Sequence, residues 1–552
     1  MTPPENRHKI QKSDLKKLIS DKVFLKPNAS IQIASRGGDA RDPRWFFDFR
    51  AIVFEASVLD FIAEEFWRRY EHAYPFQVGG IESAAIPLIT AIVLKGAEKG
   101  KPVHGFFLRK SRKRDGLMRM FEGGLTDEPA ILVDDSINSG QSMSRQILAL
   151  SEAGKKVSDI FVILRFRDTR AYSELVKRDS TKIDSIFTLP DFDIPLLEKN
   201  VDVPHDSFEV IWKQSGGAPS FNMVTEKSAP AVDRDHVYVG SDNGIFWAID
   251  KKTGAPRWHL KVGPHPRWKG IFSSPAIHKE VVYFGAYDGN VYALETRTGN
   301  KKWTYAEAEW VGSSPALAPK LDLMYIGLEF GLFRKRGGIV ALRLSTGERV
   351  WGHKMPEYTH GSPFYIEQKN MTVIGSNDGI LYAYDAKTGE ERWKFQTGGA
   401  IKASATYDAR RSLIIFGSWD GSIYALEADS GALRFSFKTE MPVFSTPLVV
   451  GNLVYAASLD KNLYALSLDR GEVVWTFLTH GRIFSSPVLA LDSLWIGSND
   501  GRLYELAPEN GEPRSFFQAT ERIVNAIAYD EKARTLFVPT VANELYCLRK
   551  RF

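Results

Sequence analysis

Residues 131–143 read ILVDDSINSGQSM: three apolar β-formers, two adjacent carboxylates, a run of small and polar residues with one glycine, and the start of a segment with helical spacing. A short apolar run bounded by turn residues is the pattern of a strand buried on both faces. Ser142–Ala153 follows it as a helix, so the order strand, tight turn, helix predicts α/β architecture with a parallel sheet. In such sheets ligands bind outside the carboxyl ends of the strands, where Asp134 and Asp135 emerge. The small residues of the turn Ile137–Gln141 let backbone amides approach an anion closely. A ligand with a phosphate at one end and a diol in its middle fits this pattern, the amides taking the phosphate and the carboxylates accepting from adjacent hydroxyls. A local reading competes: Asp135 or Ser136 caps the helix and Asp134 is merely solvated.

The same grammar extends outward. Ala51–Tyr70 carries Val53, Phe54, Val58, Leu59, Ile62 and Phe66 at helical spacing. Phe76–Gly80, Phe106–Leu108 and Ile160–Leu164 read as further strands, and Ile86–Leu94 as an apolar helix. Between strands lies the basic run RKSRKR, Arg109–Arg114, followed by Asp115-Gly116 and later Gly123-Gly124. It reads either as a loop with the charge and hinge residues to close over a polyanion, or as a solvated basic loop.

Beyond Phe208 the grammar changes to repetition. SDNGIFWAIDKKTGAPRW (241–258), AYDGNVYALETRTGNKKW (286–303), SNDGILYAYDAKTGEERW (376–393), SWDGSIYALEADSGALRF (418–435), SLDKNLYALSLDRGEVVW (458–475) and SNDGRLYELAPENGEPRS (498–515) are copies of one phrase. A looser copy, GGIVALRLSTGERVW, follows an insertion at Glu329–Arg336, and a half copy, NELYCLRKRF, ends the sequence. The period is about 40 to 48 residues, the span of four short strands and their turns. Asp288-Gly289, Asp378-Gly379 and Asp420-Gly421 supply the positive φ of tight hairpins. Trp258, Trp303, Trp351, Trp393 and Trp475 recur at one point and are expected to wedge between neighbouring blades, each burying roughly 150–250 Å². The last copy lacks its tryptophan strand, while Phe208–Trp212 has no preceding copy to join. A strand from the front completing the last blade removes two open edges, which predicts an eight-bladed β-propeller over 208–552 after an α/β domain over 1–207.

Composition limits the alternatives. At 552 residues the chain is too long for one core, and 43% hydrophobic with 25% charged residues is ordinary for a globular protein. A net charge of +5, spread over both halves, leaves no global nucleic-acid footprint. The single cysteine, Cys547, excludes an intramolecular disulfide and a thiolate metal cage. The first residues contain no apolar leader core, and no run of 18 apolar residues follows, so a cytoplasmic protein without a membrane span is expected.

Two resemblances rest on these stretches. ILVDDSINSGQSM resembles the phosphoribosyl pyrophosphate (PRPP) motif of type I phosphoribosyltransferases, and the likeness runs over about Gln11–Pro204. Lys22–Lys26 with Phe46–Arg50 is similar to the hood strands of the orotate enzymes, and Phe107–Lys113 to their strand and mobile catalytic loop. The resemblance implies that Asp134 and Asp135 bind the ribose hydroxyls, that Asn138, Ser139, Gly140, Gln141 and Ser142 bind the 5-phosphate, and that Arg109, Lys110 and Lys113 meet the departing pyrophosphate. It places the acceptor near Lys26, Phe46 and Phe47, and implies Mg2+ bridging PRPP oxygens near the two aspartates, without a protein metal cage. A homodimer through this domain is a further implication. Displacing pyrophosphate from C1 passes through an oxocarbenium-like state, so cations stabilise the charge growing on the leaving group.

Five positions depart from the orotate pattern: Ala84 replaces a common Lys or Arg, Asp115 a His, Asn138 and Gln141 threonines, and Phe166 a carboxylate-binding Arg. Asn and Gln still donate to phosphate. Two function classes follow: a phosphoribosyltransferase acting on a nitrogenous base or related acceptor, and a PRPP-sensing regulator without transfer chemistry. The repeats resemble those of quinoprotein dehydrogenases and of outer-membrane assembly propellers. With one cysteine and no export leader, a pyrroloquinoline-quinone oxidoreductase is the lesser expectation, and a platform for a protein partner the main one. The insert EFGLFRKRGG, 329–338, is the loop singled out for a contact.

Overall fold

The computed structural model describes residues 10–25, 46–109, 120–138, 140–172, 181–196, 207–217, 228–263, 270–331 and 335–551. The chain divides into two compact units, Met1–Pro204 and His205–Phe552.

The first unit begins with α1 (Lys12–Leu18) and a two-stranded hood, β1 (Phe24–Leu25) antiparallel to β2 (Phe46–Phe47). Then follow α2 (Ala56–Tyr70), β3 (Gln77–Ile81), α3 (Ala85–Glu98), β4 (His104–Leu108), β5 (Phe121–Glu122), β6 (Ala130–Ile137), α4 (Gln141–Glu152), β7 (Val157–Arg165) and β8 (Lys182–Thr188). The sheet order is β5-β4-β3-β6-β7-β8, parallel except at β4–β5. Strand alternation splits the core: Ile131 and Val133 face α2 and α3, whereas Ala130 and Leu132 face α4. Because the sheet is buried on both faces, its central strand is continuously apolar up to Val133. The crossover through α3 runs one way from β3 and that through α4 the other way from β6, so the strand order reverses between β3 and β6.

The second unit is an eight-bladed propeller of four-stranded antiparallel sheets. Its closure follows the repeat count: Phe208–Ser215 pairs with Glu544–Lys550, and Trp212 lies opposite Cys547. Each repeat tryptophan reaches the next blade, Trp351 Nε1 donating to the Ala386 carbonyl at 3.1 Å and Trp393 Nε1 to that of Ala428 at 2.8 Å. The phrase D-G-x-x-Y has a side-chain reason as well as a turn reason. Tyr382 donates to Asp378 at 2.8 Å and Tyr424 to Asp420 at 2.7 Å, tying the turn to the strand it opens. On either side of the insertion, Leu323–Phe330 and Arg336–Arg343 form a lengthened hairpin that remains paired to Phe330 opposite Arg336. Among the described residues no helix is long and apolar enough to cross a membrane.

Candidate active site

The strand that begins ILV does not end at Val133, as the sequence pattern suggests. It continues to Ile137, because β7 accompanies it, Asp134 lying opposite Val162 and Ile137 opposite Arg165. On its other side β3 pairs only as far as Gly79 opposite Leu132. The two central strands therefore part at the level of Asp134, at the point where the strand order reverses, and open sheets bind ligands in such crevices. The carboxyl ends around the crevice carry the turn after β3, Arg109 after β4, Asp134–Ile137 of β6 with Asn138 and Gly140 beyond it, and Phe166–Arg167 after β7.

The two aspartates are held differently. Asp134 is 7% exposed, and its Oδ1 accepts from the Asp135 amide at 2.9 Å. Asp135 is half-buried and its Oδ1 accepts from the Ser136 hydroxyl at 3.1 Å. Burial pushes the Asp135 carboxyl above its usual range, the Ser136 hydroxyl and amide and Asp134 oppose this, and the charge on Asp48 adds to the push. Neither residue caps α4. The cap is Gly140, at φ 70°, a left-handed conformation that suits glycine, a residue with no side chain to bond the first amides of the helix. The start of α4 follows the acid pair by a few residues at the carboxyl end of β6, which makes it a candidate anion site.

The loop before Gly140 is clamped from behind. The Tyr172 hydroxyl lies within 3.0 Å of the carbonyls of both Ile137 and Asn138, and Arg167 Nε donates to the Asn138 carbonyl at 3.1 Å. Burial raises the Tyr172 phenol to about 12, so it stays a donor. Arg165 donates to the Arg167 carbonyl, so two of the three arginines of ILRFRDTR serve the loop, Arg167 directly and Arg165 through it. Tyr172 escapes sequence reading because its acceptors lie 34 and 35 residues earlier.

Of the residues singled out in the sequence, Asp134, Asp135, Asn138, Gly140 and Ser142 meet at this edge together with the backbone of Gln141. Arg109 closes the base of the basic loop: its amide donates to the Met120 carbonyl at 3.0 Å, and its guanidinium pairs with Glu122 at 3.2 Å. Lys26, Lys110, Lys113, Asp115 and Ser139 lie outside the described residues. Phe46 pairs through its backbone with Leu25. Phe47 is 6% exposed in an aromatic cluster, stacked on Phe24 at 4.9 Å and edge-on to Phe166 at 5.9 Å and Phe192 at 5.5 Å. Phe166 thus anchors the hood to the end of β7. Sequence reading passed over the pair Asp48 and Arg50, joined at 2.7 Å just after the hood, whose charges reach Asp135. Ala84 is the residue before α3, so the turn after β3 presents no cation at that position.

The parallel sheet, the hood and the switch-point crevice give the first unit the fold class of the type I phosphoribosyltransferases, followed by an eight-bladed propeller. Sequence comparison agrees for each half. The chain is 28% identical over 129 residues to an orotate phosphoribosyltransferase of Bradyrhizobium sp. (strain ORS 278), covering 22% of this chain and 70% of that enzyme. It is 29% identical over 157 residues to the orotate phosphoribosyltransferase of Pyrococcus abyssi, covering 28% of this chain and 80% of that one. Residues 334–551 match the profile of the Beta-alanine-activating enzyme, beta-propeller, and residues 202–374 that of the Outer membrane protein assembly factor BamB. The solved structure of BamB from Moraxella catarrhalis superposes with a TM-score of 0.50 at 18% identity, over 62% of this chain and 98% of that one, a likeness of fold alone.

Proposed function

We propose that the first unit is a phosphoribosyltransferase that takes PRPP and transfers its phosphoribosyl group to a nitrogenous base or related acceptor. The observation that carries this reading is the parting of β3 and β6 near Asp134, where the acid pair is followed by the glycine-capped start of α4. In this reading Asp134 and Asp135 accept from the ribose hydroxyls, and the amides from Asn138 to Ser142 take the 5-phosphate. Mg2+ would come with PRPP, held through its pyrophosphate and ribose oxygens beside Asp134 and Asp135, and would neutralise charge on the leaving group. Arg109, Lys110 and Lys113 neutralise the leaving group, and the basic loop excludes water once it closes. The apolar groove beside α3, about 340 Å³ and lined by Ile86, Ile89, Val93 and Phe107, supports a homodimer through this unit. The propeller serves as a platform for a protein partner, and the protein works in the cytoplasm.

A second reading has its own support. With Ala84 before α3, and Arg165 and Arg167 occupied in bracing the phosphate loop, fewer cations face the pyrophosphate and the acceptor. A unit of this kind senses PRPP without transferring it. Incubating the full chain with Mg2+, PRPP and a panel of purines, pyrimidines and their acids separates the two: base-dependent pyrophosphate release supports transfer, while PRPP binding without release supports sensing.

A further inference from the structure

The first strands of the blades meet around the propeller axis and are laced by hydroxyls. The Ser274 amide donates to Ser314 Oγ and the Ser314 amide to Ser362 Oγ, both at 2.9 Å. The Ser404 amide donates to Thr446 Oγ1 at 3.2 Å and the Thr446 amide to Ser486 Oγ at 2.9 Å. Two residues before these five positions and Ser404 stand Phe272, Gly312, His360, Lys402, Phe444 and Phe484, which therefore ring one mouth of the axis. The ring is lopsided. On one side Phe444 and Phe484 lie 5.4 Å apart in an apolar cluster with Leu459. On the other side are His360 and Lys402, joined by Glu329 at the end of one second strand and by Asn377, two residues past the end of the next, whose amide donates to the Tyr358 carbonyl at 2.9 Å. Trp419 divides the halves, with Lys402 Nζ 3.3 Å above its ring centre and Phe444 at 6.1 Å.

The polar half is unfinished. Glu329 is 1% exposed; its Oε1 meets His360 Nδ1 at 3.2 Å, but its Oε2 has no partner among the described residues. The buried Oδ1 of Asn377 is in the same condition. Lys402 feels the charge of Glu329, yet no ion pair joins them, nor does any other described carboxylate pair with Lys402. A buried acceptor without a donor is costly, more so when charged, and a direct Glu–Lys contact would have removed that cost.

We propose that this mouth binds a free α-amino acid with an apolar side chain. The ammonium donates to Glu329 Oε2 and Asn377 Oδ1, the carboxylate accepts from Lys402 Nζ, and the side chain lies against Trp419 and Phe444. An amine alone would bring a second cation to Lys402, and an acid alone a second anion to Glu329. A zwitterion satisfies both.

Calorimetry on the full chain tests this with leucine, with 3-methylbutylamine, which is leucine without its carboxylate, and with 4-methylpentanoate, which is leucine without its ammonium. Leucine is expected to bind at least about tenfold more tightly than either fragment, a difference of about 1.4 kcal/mol. Lys402→Met is expected to reduce leucine to the level of the amine, and Glu329→Gln to the level of the acid. The comparison of ligands on the unaltered protein stands even if a variant fails to fold. Equal binding of leucine and either fragment would overturn the proposal, as would failure of both leucine and phenylalanine to bind at millimolar concentration.

Discussion

At the scale of residues, both sites keep charge in places that disfavour it, and such positions exchange stability for function. The raised Asp135 carboxyl gives a signed expectation. Its folded state resists ionisation, so the cost is fully present at neutral pH and vanishes as the pH falls to the unfolded value near ~3.9. Asp135→Asn should therefore raise the stability of the first unit at pH 7. The gain should shrink toward pH 4 in parallel melts, and a variant less stable than wild type at pH 7 would contradict it. Lys402 behaves in the opposite sense. Burial pushes its ammonium down to about 8, with Glu329 pulling the other way. The cost of charging it is full below about pH 8 and is relieved as the pH rises toward the unfolded value of ~10.4. Relative to Lys402→Met, the wild type should gain stability across that window, whereas a flat difference would show Lys402 to be solvated. The acid pair was legible in the sequence because two carboxylates after a buried strand are chemically conspicuous. Glu329 and Lys402 were not, since only the propeller's symmetry brings residues 73 apart to one axis.

At the scale of elements, the alternation of strands and helices was readable as far as local patterns decide it. Two elements show the limit. The strand ILV was expected to end before the acids because apolar content ends there, but ladder pairing with β7 carries it to Ile137. The insertion at 329–338 breaks the repeat in sequence, yet the described residues Glu329, Phe330 and Arg336–Gly338 extend a hairpin in register. Capping was the reading that failed physically: the turn enters α4 through a left-handed glycine and not through Asp135 or Ser136. In the propeller the recurring Thr-Gly or Ser-Gly has a packing role beyond the turn. Gly389 sits at φ 79°, and a Cβ there would lie 2.7 Å from the Trp351 ring. Gly389→Ala should cost about 2–4 kcal/mol through strain and overpacking together. Gly451, at φ 61° with open space around it, isolates the strain alone, so Gly451→Ala should cost only about 1–2 kcal/mol. Equal losses in denaturant titrations would remove the tryptophan contact from the account.

At the scale of the whole molecule, closure of the propeller was predictable by counting, because a half copy at one end and an orphan strand at the other complete one blade. Trp212 is the lock of that closure: it is 9% exposed and donates to the Lys251 carbonyl at 3.1 Å across the seam. Truncating it to alanine should destabilise the propeller by about 3–5 kcal/mol. Val210, on the same strand but 46% exposed, should tolerate alanine within about 0.5 kcal/mol. Equal effects would mean that the closing strand contributes little. What no sequence pattern reveals is the acceptor, because the departures at Ala84 and Phe166 remove features without naming replacements.

The central claim is that the acid pair and the start of α4 form a grip for PRPP. Its most direct test is calorimetric titration of PRPP with Mg2+ into the full chain and into the Asp134→Asn, Asp135→Asn double variant. Each lost charged hydrogen bond is worth about 1.5–3 kcal/mol, so wild type should bind and the double variant should lose affinity by roughly a hundredfold or more. Equal binding by the two proteins, or no binding by wild type, would contradict the account.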